Sequence, residues 1–186
     1  MDSNELRFTK LFDAHYGAVY RYALRRSDHQ TADEVAAETL AIAWRRLRDV
    51  PSGEASARAW LLAVARRVLA NTARSGRRAA LLSERLTAQP APAAPDIADT
   101  IAERHQVLAA LSHLAERDQE AMKLIGWDGL SVAQAATVLG CSRGALAVRL
   151  HRARRNIHHV LQDGDPAQAA SAAPGSVAAQ EGQAHA

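Results

Sequence analysis

The chain has 186 residues, 42 of them alanine, 21 arginine and two lysine, and a formal net charge of +3. Alanine supplies nearly half of the 48% hydrophobic content, and 11 valines with five isoleucines are too few for a sheet protein, so the composition points to an all-α fold. One cysteine excludes a disulfide framework, no apolar run approaches the ~18 residues of a membrane span, and MDSNELRFTK carries no apolar leader, so the expectation is a soluble cytoplasmic protein without membrane insertion.

Two helical blocks are expected, residues 5–86 and 98–161. The stretch between them, 87–97, contains AQPAPAAP, whose three prolines block helix and remove donors, so it reads as a flexible Pro-rich linker. Residues 162–186 are mostly Ala, Gln, Gly, Ser and Pro, carry three acids and no Lys or Arg, have Val177 as the one large apolar side chain, and read as a disordered tail.

In the first helix Phe8, Leu11, Phe12, Val19 and Ala23 form an apolar stripe of helical period. A second helix is predicted over 33–48, with Ala36, Leu40, Trp44 (or Ala43) and Leu47 inward. Thr31 is its expected N-cap, with Glu34 three residues on as a capping box. Asp33, Glu34 and Glu38 make its first half acidic, which suits its dipole and would complement a basic partner. Val50-Pro51-Ser52-Gly53 breaks it. The third helix begins near Ser56 and turns Leu61, Val64, Ala65, Val68 and Thr72 inward. Its other face holds Arg66, Arg67, Asn71 and Arg74, and no acid occurs between Arg58 and Arg78, which points to nucleic acid. Trp60 adjoins Leu61 and is expected in the core, although it is also the aromatic nearest the 50–56 loop.

The second block opens with a helix predicted over 98–114, striped by Ile101, Val107 or Leu108, and Leu111, then another over 117–127. In LSVAQAATVLGCSRGALAVRLHRARRNI, Ser131 can cap a short helix to Leu139, Gly140 can end it in the left-handed conformation, and Ser142 can cap a helix from Arg143 to about Leu161. Ala136, Gly140 and Leu146 have helix-turn-helix spacing. Leu146, Leu150, Ala153 and Ile157 would be buried, leaving Arg143, Ala147, Arg149, Arg152, Arg154 and Arg155 on the free side. Ser142, Arg143, Gly144, Ala145 and Arg149 lie where base edges are read; Arg152 and Arg155 are placed for phosphates.

No pair among the eight histidines has a metal-ligand spacing, Cys141 fits the turn as a small apolar residue, and neither a phosphate loop nor a nucleophile motif is present. The expectation is a DNA-binding protein with no enzymatic activity, metal or cofactor. These residues alone leave open a helix-turn-helix transcriptional regulator, its first block sensing or dimerising, although a basic face on each block and the acidic residues of the Trp44 helix argue against it.

Three segments in order resemble the extracytoplasmic-function (ECF) sigma factors of bacterial RNA polymerase. ADEVAAETLAIAWRRL resembles the polymerase-binding segment through Ala32, Glu38, Ala43 and Trp44, with the acidic pair Asp33-Glu34 in swapped order and Ala37 where Gln is usual. RAWLLAVARRVLANTAR resembles the following helix through Trp60, Leu61, Val64, Ala65, Arg66 and Arg74, with Arg67 and Asn71 in place of Asn and Asp. GLSVAQAATVLGCSRGALAVRLHRARRNI resembles the family's helix-turn-helix, with Ala145, Ala147 and Val148 replacing the usual Thr, Lys and Ser. The resemblance implies a two-domain, all-helical initiation factor that binds core RNA polymerase through Asp33, Glu34, Glu38 and Trp44. It implies that Arg66, Arg67, Asn71 and Arg74 meet the minus-ten promoter element, that the helix-turn-helix meets the minus-thirty-five element, and that an anti-sigma factor is a partner.

Overall fold

The structure, a computed structural model, describes residues 2–83, 109 and 111–163. The linker, nearly all of the predicted tail and most of the helix predicted over 98–114 lie outside them. Among the described residues every regular element is helical: α1 Ser3–Leu24, α2 His29–Arg45, a 3-10 turn Leu47–Asp49, α3 Glu54–Ser83, α4 Glu116–Gly126, α5 Val132–Leu139 and α6 Arg143–Asp163. None is long and apolar enough to cross a membrane.

Local chemistry sets the helix starts. The predicted cap Thr31 lies inside α2; the cap is Asp28, whose carboxylate accepts the backbone N–H of Thr31 at 2.8 Å and its hydroxyl at 2.9 Å. These bonds hold the Asp28 carboxyl below its usual range. A carboxylate taking two donors is a better cap than a threonine hydroxyl, so the helix begins at His29 rather than Asp33. Glu34, freed from the expected box, accepts from Gln30 at 3.2 Å.

α1, α2 and α3 pack around Val19, Tyr22, Ala23, Val35, Ala36, Leu40, Ala43, Leu61 and Ala65. Two inward assignments are corrected. Phe12 is exposed, and at the ambiguous position of α2 it is Ala43 that is buried while Trp44 stands outside. Ala43 lets the helices approach closely; the indole finds room on the outer edge.

The two blocks pack on one another. α3 also lies against α5 of the second block, and residues of both contribute to one continuous core. Leu62, beside the expected stripe of α3, is fully buried in the same core. An ion cluster reinforces the contact. Arg26 bridges Glu120 at 3.0 Å and Asp128 at 2.8 Å, and its side chain and that of Asp128 are only 7% and 1% exposed. Arg25 also pairs with Asp128, Arg58 donates to the Asp128 carbonyl at 2.6 Å, and the Tyr22 hydroxyl donates to Glu120 at 3.0 Å. Burial beside the Glu120 carboxylate raises the Tyr22 phenol far above its ordinary range and keeps it a donor.

His15 is the buried histidine of α1. Burial pushes its pKa below the ordinary 6.5, Glu54 opposing and Arg58 reinforcing. The unfolded chain therefore binds this proton more readily than the folded one. The resulting stability is complete above pH 6.5 and is lost as the pH falls below it. His15→Gln should flatten that part of the acid limb in urea unfolding measured on either side of pH 6.5; a limb as steep as the wild type's would refute the assignment.

Candidate nucleic-acid and polymerase interface

The helix-turn-helix forms as its local signals require. The Ser131 backbone N–H donates to Gln134 Oε1 at 2.8 Å and the Gln134 N–H to Ser131 Oγ at 3.3 Å, closing a capping box on α5. Gly140 ends α5 with φ +65°, a conformation a side chain would strain, and the Cys141 N–H then returns to the Ala136 carbonyl at 3.0 Å. The Ser142 hydroxyl accepts the Ala145 N–H at 3.1 Å and starts α6. Leu146, Leu150 and Ala153 are buried and fix the helix on its neighbours.

Ser142, Arg143, Gly144, Ala145, Ala147, Val148, Arg152, Arg154 and Arg155 are exposed along α6. Arg149 departs from the free side assigned to it. Its Nε lies 3.3 Å from Asp118 Oδ1 of α4, with the two side chains 24% and 27% exposed. Arg149 sits three residues after the buried Leu146, on the flank of α6 rather than its crest, and the Asp118 carboxylate draws it there. The ion pair joins residues distant in sequence, which is why the helical pattern missed it.

On α3, Arg67, Asn71 and Arg74 are exposed, and Arg74 donates to the Asn71 side-chain oxygen. Arg66 is half-buried towards Tyr22 and the inter-block contact. Among the described residues none of Arg66, Arg67 and Arg74 has a carboxylate at ion-pairing distance. Trp60 is half-buried against the core, with the Arg46 guanidinium 5.9 Å from its ring centroid. The loop before α3 borders a cleft of about 330 Å³ that Arg7, Lys10 and His15 also line, and Trp60 does not.

Asp33, Glu34 and Glu38 are all exposed on α2, Glu38 pairing with Arg45 at 2.8 Å on the open surface. Trp44 is 45% exposed and meets Phe8 edge-on at 5.1 Å. Phe8 begins an aromatic row: Phe8, Phe12, Tyr16 and Tyr20 stand one above another at centroid separations of 6.4, 5.1 and 6.2 Å. Their strict four-residue spacing was the available signal. Phe12 and Tyr16 are exposed, while Phe8 and Tyr20 are half-buried against the core.

Residues 11–79 match the family model for Sigma-70 region 2, and residues 104–157 that for Sigma-70, region 4. The chain is 34% identical over 155 residues to the ECF RNA polymerase sigma factor SigL of Mycobacterium tuberculosis, covering 82% of this chain and 88% of the relative. The chain belongs to the ECF RNA polymerase sigma factors. As a sigma factor it binds core RNA polymerase and directs it to promoters. Two solved structures resemble this sigma factor at 25% identity. The sigma factor RpoE in complex with the anti-sigma factor NepR from Bartonella quintana has a TM-score of 0.61, covering 83% of this chain and 95% of that one. CnrH in complex with the cytosolic domain of CnrY has a TM-score of 0.52, covering 85% and 89%. The region 2 match of this sigma factor includes both the acidic face of α2 and the arginine face of α3, and its region 4 match includes the helix-turn-helix.

Proposed function

We propose that this sigma factor divides its task among three surfaces. In the block 5–86, Asp33, Glu34, Glu38 and Trp44 dock on core polymerase, and Arg66, Arg67, Asn71 and Arg74 hold the minus-ten element. In the block 98–161, α6 enters the major groove of the minus-thirty-five element, with Ser142, Arg143 and Ala145 at the bases and Arg152 and Arg155 on phosphates. Arg149, tethered to Asp118, borders the groove and braces the helix. The observation that carries this reading is the sorting of charge: each block has an exposed basic face, and the acids Asp33, Glu34 and Glu38 are exposed on a different helix, α2. A regulator that only bound DNA would need one such face. The protein acts in the cytoplasm, without enzymatic chemistry of its own. The likeness to RpoE, solved with an anti-sigma factor, supports an anti-sigma partner here too.

Run-off transcription tests the whole. Added to host core polymerase on a library of host genomic fragments, the full chain should create discrete new start sites that share an upstream and a downstream element. Transcripts unchanged by its addition would contradict the proposal. Within α6, Arg155→Ala should weaken binding to all upstream duplexes evenly and lower the salt slope by about one, as loss of one phosphate contact does. A loss confined to particular sequences would instead make Arg155 a base reader.

A further inference from the structure

The helix that enters the groove presents an unusual tip. Val148 is 59% exposed, the most exposed of the large hydrophobic side chains among the described residues. It lies two residues after Leu146 and two before Leu150, both buried, and at about 100° per residue that places it across the helix from the core. Its neighbours on the crest towards the helix start are Gly144 and Ala145, and a Cβ added at Gly144 would meet nothing within 4 Å. Val148 is therefore the outward-facing large apolar side chain of the first two turns, with the exposed Arg143 at the helix start. The one arginine at this level, Arg149, is turned aside to Asp118. Arg152 and Arg155 lie further along the exposed side, where they suit backbone phosphates.

A hydrocarbon tip cannot hydrogen-bond a base edge. The major groove offers one apolar feature, the C5-methyl of thymine, and apolar side chains read it by contact. We propose that Val148 is a specificity-determining residue of this sigma factor, selecting a thymine in the upstream promoter element by burying its methyl group against the valine methyls. The inference rests on the placement of α6 in the major groove. It names the base feature read there, which the arginines alone leave unspecified.

Deoxyuridine separates the methyl from the rest of the base. Duplexes are first selected from a random library by core polymerase carrying the full chain. Each thymine of the upstream element, on either strand, is then replaced singly by deoxyuridine, and binding is compared by competition. One replacement should weaken binding about fourfold, the equilibrium worth of one buried methyl. Val148→Ser should abolish the difference between thymine and deoxyuridine at that position, whereas Val148→Ile should retain it. Val148 is exposed and contributes nothing to the core, so unchanged thermal melting verifies that both variants fold. An element recovered without a methyl-sensitive thymine, or the same penalty in Val148→Ser as in the wild type, would overturn the assignment alone. Recovery of no upstream element would overturn it together with the placement of α6.

Discussion

Trp44→Ala should weaken binding of the full chain to core RNA polymerase by about thirtyfold or more, the loss expected when an aromatic anchor worth at least ~2 kcal/mol is removed. The indole is nearly half exposed, so it contributes little to folding, yet it is held in place edge-on by Phe8 and rises beside the aromatic row of α1. Such a group is ordered before binding and loses little freedom on burial. The acids beside it act differently. Asp33→Lys, Glu34→Lys and Glu38→Lys together should slow association and make it less sensitive to salt, since exposed charges steer encounter more than they hold the complex. A titration of labelled chain with core polymerase checks both. Affinity of the Trp44 variant within twofold of the wild type would remove this face from the polymerase contact.

Asp128→Ala should destabilise the folded chain by about 3–5 kcal/mol, the range for removing one partner of a buried pair. Its carboxylate is almost inaccessible and receives Arg25 and Arg26 from the other block. Without it, Arg26 stays buried with Glu120 as its remaining carboxylate. The contact of α3 with α5 should loosen as well, giving a larger radius of gyration by small-angle scattering. A double-mutant cycle with Arg26→Met isolates the pair, and coupling of at least ~1 kcal/mol is expected. Independent effects and an unchanged radius would show that the blocks are not joined there.

The parts legible in the sequence were those whose causes are local. Ser131, Gly140 and Ser142 stand where a cap, a left-handed turn and a second cap are needed, and the structure uses each of them so. The arginine face of α3 was visible because no acid interrupts it. What the pattern left undecided depended on neighbours far along the chain. Ala43 and Trp44 fit the helical period equally well, and the packing of α2 on α1 and α3 buries Ala43. Leu62 lies outside the predicted inward stripe yet is buried in the core to which both blocks contribute. The ion pairs of Arg25, Arg26 and Arg149 leave no trace in the helical pattern because Asp128, Glu120 and Asp118 stand in the other block or another helix. The start of α2 was misplaced for a subtler reason, since Asp28 and Thr31 are both good caps and the choice lies in the double acceptance by the carboxylate.

Permanganate reactivity of promoter thymines tests most directly whether one chain joins polymerase to DNA and opens it. The variant is Arg67→Ala, Asn71→Ala and Arg74→Ala together; Arg66 is left intact because it is half-buried towards the inter-block contact. With this chain, core polymerase should still bind and still protect the upstream element, while the unpaired thymines seen with the wild type fail to appear. Thymines as reactive as in the wild-type complex would contradict the account, and the arginine face of α3 would be no more than solvated surface.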